Sequence, residues 1–367
     1  MVNWRKALGV TIAVALVSSM GLAAQKKDDK KDDKKRSDAQ RAEVLALAKA
    51  VEDVAAGQVV SNDFDLVWVR QDFMKAVASK QFVPFIVSID PTKTNGGELS
   101  FYWRVVSKNP TLALPEPEPK KDDAAKDKDQ KPLPPKRPDY AWESVSFSVK
   151  TSGQKAPMRI SRYFTVPAGP YDVYVAVKET ASEKPEKSKK EPAAPSKMAA
   201  LKQTITVPDF WNSELTTSSI VLAQKIDPLP APLTELQQLE RPYALTELEI
   251  TPAGDTKLKK QDELLPFFFI YNPKLDSSNK PDIVVNYNFY VKSGSTEKFF
   301  NKTAPLNWNA QTLPPNFDAA AGHQLQGSQG VPLASFPEGE YRLEIKVTDR
   351  IANKSLTRDV NFTVVGS

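Results

Sequence analysis

The chain of 367 residues contains one histidine, His323, and no cysteine. Nucleophilic catalysis of the Ser-His-Asp or Cys-His kind would therefore have to pass through His323. A zinc site would need carboxylates in place of most of its usual ligands. His323 stands in the loop-like stretch Ala321-Gly322-His323-Gln324, and no G-x-S-x-G, H-E-x-x-H or phosphate-cradling loop accompanies it. Carboxylate pairs such as Asp63 with Asp65, or Asp276 with Asp282, are of a type suited to glycoside hydrolysis or calcium. Among 45 acidic residues such pairs arise freely, and neither has the glycine-punctuated spacing of a calcium loop. The expectation is no catalytic residue, no metal site, no cofactor and no enzymatic activity. What remains is aromatic. Tyr102, Tyr174 and Tyr290 fall on the outward phase of their strands and Trp211 and Trp308 in loops, where they could stack on sugar rings or fill a partner's pocket. The competing reading is that a neighbouring strand, helix or domain covers them.

The strands that carry these residues belong to an internal repeat. Val166-Pro167-Ala168-Gly169-Pro170-Tyr171 recurs as Phe336-Pro337-Glu338-Gly339-Glu340-Tyr341, each a turn that runs into a strand of alternating apolar and polar residues. Upstream, Phe82 to Pro91 aligns without gaps to Leu264 to Pro273. Leu99, Phe101, Trp103 and Val105 likewise match Val285, Tyr287, Phe289 and Val291 in phase. Each copy closes with a final strand, Leu201 to Val207 and Leu356 to Val364, and opens with a lead-in strand, Phe64 to Val69 and Ala244 to Thr251. Alternation with one polar phase is the pattern of half-buried antiparallel strands. The fold class expected is mainly β: two tandem β-sandwiches, at 58–208 and 243–367, joined by a linker at 209–242 with a strand near Ile220–Ala223 and a helical turn around Leu236.

Ahead of the repeat, Met1 to Ala24 reads as a secretory signal peptide, with Arg5 and Lys6, an apolar run from Ala7 to Val17, and small residues at Gly21-Leu22-Ala23. Lys26 to Arg36 carries like charges at every i,i+4 spacing except Asp32 with Arg36, which disfavours helix, so 25–36 is expected to be a disordered tether. Ser37 with Gln40 forms a capping box for an amphipathic helix at 37–57, with Val44, Leu47, Ala48, Val51, Val54 and Ala55 as its stripe and Gly57 to close it. Two inserts of the first copy, 115–138 and 181–197, are rich in Pro, Lys, Glu and Asp and are expected to be disordered loops.

Lys and Arg number 50 against 45 Asp and Glu, a near balance that favours neither nucleic acid nor an anionic membrane as partner. An exported chain without cysteine holds its domains by burial alone, which favours a bacterial periplasm or exterior.

At Trp103 and at the two Gly-x-Tyr turns the chain resembles immunoglobulin-like sandwiches, of the fibronectin type that lacks the inter-sheet disulfide. The resemblance implies a buried tryptophan at Trp103, with Phe289 in its place in the second copy. It also implies a tyrosine corner at Tyr171 and Tyr341, with Val173 and Leu343 where antibody domains carry a cysteine. The second half is also similar to a group of uncharacterised exported bacterial proteins through Glu297-Lys298-Phe299-Phe300-Asn301-Lys302-Thr303, Thr312-Leu313-Pro314-Pro315 and Val331 to Asp349. That likeness implies export and the sandwich fold, and no activity. The function expected is a non-enzymatic binding or structural protein of the bacterial envelope, engaging an envelope protein or a polysaccharide. The alternative is a carbohydrate-active protein, either a glycan-binding module or a hydrolase built on carboxylates.

Overall fold

The computed structural model describes residues 27–95, 97–109, 140–180, 196–245, 247–319 and 322–366. The signal-peptide stretch, the insert at 115–138 and residues 181–195 of the second insert lie outside them.

Helix α1 (Lys27–Ala55) comes first. It begins ten residues before the expected capping box, so most of the charged run expected as a tether is helical. Alongside the unfavourable i,i+4 pairs that run has opposite charges at i,i+3, as in Asp28 with Lys31, and propagation from an established helix costs far less than nucleation. The end is as expected: Gly57, at φ +76°, takes the left-handed position, with Gly57 N–H bonded to Val54 O at 3.1 Å and Gln58 N–H to Asp53 O at 2.8 Å.

The first sandwich follows as β1 (Val67–Gln71), β2 (Met74–Lys75), β3 (Gln81–Ile89), β4 (Glu98–Ser107), β5 (Trp142–Lys150), β6 (Met158–Val166), β7 (Gly169–Glu179) and β8 (Met198–Val207). One sheet has β3 in the centre, with β1 and β2 along one side and β6 along the other; the facing sheet runs β5-β4-β7-β8. Phe85 of β3 meets Trp103 of β4 at a ring separation of 6.4 Å, and the Trp103 indole N–H donates across the core to Tyr163 O at 3.1 Å. Trp103 is thus the buried strand tryptophan the resemblance implied. Strand β5 lies beside β4 rather than in the β3 sheet, which departs from a constant-type immunoglobulin domain.

The segment expected as a linker contributes β9 (Thr216–Thr217), β10 (Val221–Pro228) and α2 (Glu235–Glu240). The expected strand and helical turn are both there. The second sandwich continues with β11 (Ala244–Leu245), β12 (Leu248–Pro252), β13 (Lys257–Lys259), β14 (Glu263–Tyr271), β15 (Ile283–Ser293), β16 (Thr296–Lys302), β17 (Leu306–Trp308), β18 (Leu325–Ser328), β19 (Val331–Pro332), β20 (Gly339–Asp349) and β21 (Lys354–Val365). Its β14 pairs with β9 and β10 on one side and β18 and β19 on the other, while the facing sheet runs β13-β21-β20-β15-β16. Strands β9 and β10 are therefore part of the second sandwich's sheet and not a free connection.

One expected equivalence is out of step. In β3 the residues that face the core are Val83, Phe85 and Val87; in β14 they are Leu264, Phe268 and Ile270. The gap-free alignment of Phe85 with Phe267 thus places an inward residue against an outward one. A slip of one position turns a strand over, and two prolines at matching positions are too weak a marker to fix it. The outward residues of β14, Phe267 with the flanking Phe269, join the apolar cluster of the first sandwich, together with Val221, Ala223, Tyr243 and Ile250 of β10 to β12. The outer face of β3, with Phe82 and Ile86, is covered as well, so β3 is buried on both sides.

Polar bonds run through this junction. Tyr243 OH donates to Asp72 Oδ2 at 2.7 Å, while Arg70 donates to both Asp72 oxygens at 2.9 and 2.7 Å. Ser219 N–H bonds Phe73 O and its hydroxyl accepts from Phe73 N–H, both at 2.9 Å. Tyr271 OH accepts from Lys75 N–H at 3.0 Å.

Candidate functional site

The five aromatics singled out from the sequence are not brought together. Tyr102 and Tyr174 point outward from β4 and β7 as expected, and there they meet α1: with Ala176, Leu47, Ala50 and Val51 they form a separate apolar cluster that leaves them 1% and 6% exposed. The reading of these two as binding surface is corrected by the helix that covers them. Charges at the rim complete this contact, with Arg104 against Glu143 at 3.0 Å and Glu52 of the helix at 3.8 Å, and Lys178 against Glu43 at 3.6 Å. Tyr102 OH donates to Glu143. Trp308 is not in a loop but ends β17; half-buried, it donates from its indole nitrogen to Gln326 O at 3.0 Å. Trp211 is in a loop at the junction and is 41% exposed. Its N–H is bonded to Lys80 O at 3.0 Å, and the Lys75 ammonium stands 4.3 Å over its ring, itself held by Asn272 Oδ1 at 2.9 Å.

Tyr290 is different. It lies on β15 in the outward face of the second sandwich, and a cross-strand row runs from Phe299 of β16 through Tyr290 to Arg342 of β20 and Asn361 of β21. Phe299 meets Tyr290 edge-on at 5.8 Å and is 50% exposed. The Arg342 guanidinium stands 4.4 Å from the centre of the Tyr290 ring. It donates to Glu297 at 2.9 Å and Asp359 at 2.6 Å, with Glu344 at 3.4 Å. Partial burial works against its charge, and the bonds to Asp359 and Glu297 outweigh that, so its pKa is raised. The sequence reading included Tyr290 but not Phe299 or Arg342. Alternation marks Phe299 as outward only once its strand is known to lie at a sheet edge.

This face is the counterpart of the one α1 covers. By the repeat, Tyr102, Tyr174 and Ala176 correspond to Asn288, Glu344 and Lys346, so the positions that receive a helix in the first sandwich are polar in the second. No described element packs on it.

The residues considered for chemistry have partners within the fold. Asp63 accepts from Met198 N–H at 2.8 Å and from the Ser61 hydroxyl, and these bonds, Ser61 first, hold its pKa below the ordinary carboxylate value. Asp65 pairs with Lys93 at 2.6 Å. Asp276 accepts from Ser278 and Lys280 N–H in a turn, and Asp282 faces Arg350 at 3.7 Å. His323 is exposed, and its Nδ1 accepts from Asp318 N–H at 3.1 Å. The long loop around it is not free, because Leu313, Phe317 and Leu325 reach the core and β18 and β19 pair with β14. Among the described residues no group of three His, Asp or Glu side chains is placed to hold a metal ion, and no helix is long and apolar enough to cross a membrane.

No family model matches this chain, and no curated protein matches it. Among the solved structures that it resembles are those of Escherichia coli alpha-2-macroglobulin. The trypsin-activated form gives 11% identity over 82% of this chain and 17% of that one, with a TM-score of 0.21. The native form by cryo-EM gives 11%, 84% and 16%, with a TM-score of 0.20. The form activated by porcine elastase gives 9%, 84% and 35%, with a TM-score of 0.19. This chain thus spans well under half of each, and superposition this loose supports no functional argument.

Proposed function

We propose that this is a non-enzymatic, exported binding protein of the bacterial envelope that engages a partner protein through the bare outer face of its second sandwich, with Phe299, Tyr290 and Arg342 at the centre. One observation carries this reading. Two copies of one fold present the same sheet face, and α1 covers it in the first, while the second leaves it open with a half-exposed phenylalanine on it. An exposed aromatic next to an arginine is the composition of an interface anchor.

The glycan reading receives less support. A sugar needs a flat free ring, whereas Arg342 stands on one face of Tyr290, Trp308 is half-buried, and Trp211 carries Lys75. Export is supported by the leader-like N-terminal stretch, and for an exported chain the absence of cysteine favours a bacterial compartment.

Affinity capture from envelope extract, with mass spectrometry of what is retained, tests the proposal when run beside Phe299→Ser and Phe299→Ser/Tyr290→Ser. The expected result is a protein retained by the wild type and lost from both variants while their thermal midpoints stay close to wild type. Equal retention by all three would place binding elsewhere, and retention of polysaccharide alone would favour the glycan reading.

A further inference from the structure

Among the described residues the two buried arginines differ in their partners, and a third, half-buried, has a carboxylate. Arg104, 5% exposed, has Glu143, and Arg70 has both oxygens of Asp72. Arg162 of β6 is 4% exposed and pairs with no carboxylate among the described residues. Paired in register with Phe85, it points between the two sheets of the first sandwich, where its guanidinium lies 5.3 Å from the Phe101 ring. Nε donates to Ser146 Oγ at 3.1 Å and Nη1 to Ser161 O at 2.7 Å. Both acceptors are neutral. Nη2 makes no hydrogen bond among the described residues and is not fully enclosed by them.

A guanidinium stripped of most of its hydration, with no carboxylate bonded to it, is held at a cost that an anion would relieve. The consequence is visible in its acidity. Burial pushes the pKa of Arg162 down to about 10, against a smaller upward pull from Glu240 at the end of α2, whereas burial is outweighed at Arg70 by Asp72 and at Arg104 by Tyr102, Tyr140 and Glu143, so both are raised. Arginine also offers a planar array of donors that matches two oxygens at once, and here those on Nη2 remain unused.

We propose that the seam between β5 and β6 is a binding site for a small oxyanion group, a carboxylate, sulfate or phosphate, with Arg162 as its charged donor and Ser146 beside it. Glu240, whose charge acts on Arg162, competes with the ligand and weakens its binding. The site is independent of the Phe299 face on the second sandwich.

The test is thermal unfolding of the full chain with sodium sulfate, phosphate or acetate against sodium chloride at equal ionic strength, for wild type, Arg162→Gln and Glu240→Gln. The expected result is a saturable rise in the wild-type midpoint with at least one of the three anions. Arg162→Gln should show only the unsaturable salt effect, and Glu240→Gln should reach half-saturation at a severalfold lower anion concentration. A larger response to acetate identifies a carboxylate ligand; one to sulfate or phosphate identifies a tetrahedral anion. An equal response of wild type and Arg162→Gln would overturn the proposal. Should Arg162→Gln not fold, the exposed Glu240 position decides, because an unchanged half-saturation in Glu240→Gln also overturns it.

Discussion

Each sandwich carries one tyrosine whose hydroxyl returns to the carbonyl four residues earlier: Tyr171 to Pro167 O at 3.0 Å and Tyr341 to Pro337 O at 2.8 Å. The intervening Gly169 and Gly339, at φ +147° and +151°, allow the turn that brings the two groups together. The corner therefore has both of its sequence requirements, the glycine and the tyrosine two residues on. Tyr341→Phe leaves the Pro337 carbonyl without its partner and should lower stability by about 1 to 3 kcal/mol, read from urea unfolding. A change within error of zero would show that water replaces the hydroxyl. Tyrosine burial has a pH consequence too. Burial pushes the Tyr171 phenol up to about 12 and raises those of Tyr271, Tyr287 and Tyr341 as well. Above the usual phenol value of about 10 the unfolded chain loses these protons first, so it binds fewer protons than the folded one. Stability should hold below pH 10 and fall as pH rises toward 12. Titration of tyrosinate absorbance checks this: if all phenols of the folded protein ionised together near pH 10, the burial argument would fail.

At the scale of elements, α1 shows how little an amphipathic pattern says about its partner. Its apolar stripe predicts one packing surface, and the outward tyrosines of β4 and β7 read as exposed; the two features satisfy each other. Leu47 is fully buried in that contact. Leu47→Ala should cost about 2 to 3 kcal/mol in the stability of the helix contact, toward the lower end of the range for core leucines because this cluster is small. Hydrogen exchange is the measurement of choice: protection should fall across Leu47–Ala55 and leave the β14 amides unchanged. Uniform loss across both sandwiches would mean that α1 is part of a single cooperative unit rather than a cover.

The whole molecule is governed by the junction. Strand β10 belongs to the second sheet at Val221–Ala223 and runs on to pair with β12, which lies in the apolar cluster of the first sandwich. Asp72, almost fully buried, joins Arg70 of the first sandwich to Tyr243 of that connection. Such shared burial couples domains that would otherwise move independently. The wild type should unfold in one calorimetric transition. Asp72→Ala removes the acceptor from both Arg70 and Tyr243, a loss of about 3 kcal/mol or more for a buried charged network, and should split the transition into two. Two transitions already present in the wild type would show that the sandwiches are coupled only weakly.

The sequence by itself determined the class of fold, its repetition, and the local devices: the Gly-x-Tyr corners, the buried Trp103, the Gly57 helix end and the phase of β4 and β15. Each depends on neighbours within a few residues or on period-two alternation, and such signals survive without knowledge of the partner. It also confined any histidine-dependent chemistry to His323 and left none for cysteine, since one histidine and no cysteine are facts of composition. Only the tertiary structure decided which outward aromatics are open. Tyr102 and Tyr290 obey the same alternation, and the difference between them is a helix that arrives from more than forty residues away in one case and not in the other. The same holds for β14. Its five apolar residues from Leu264 to Phe268, with a proline among them, show no alternation, because both of its faces are used, one against each sandwich core.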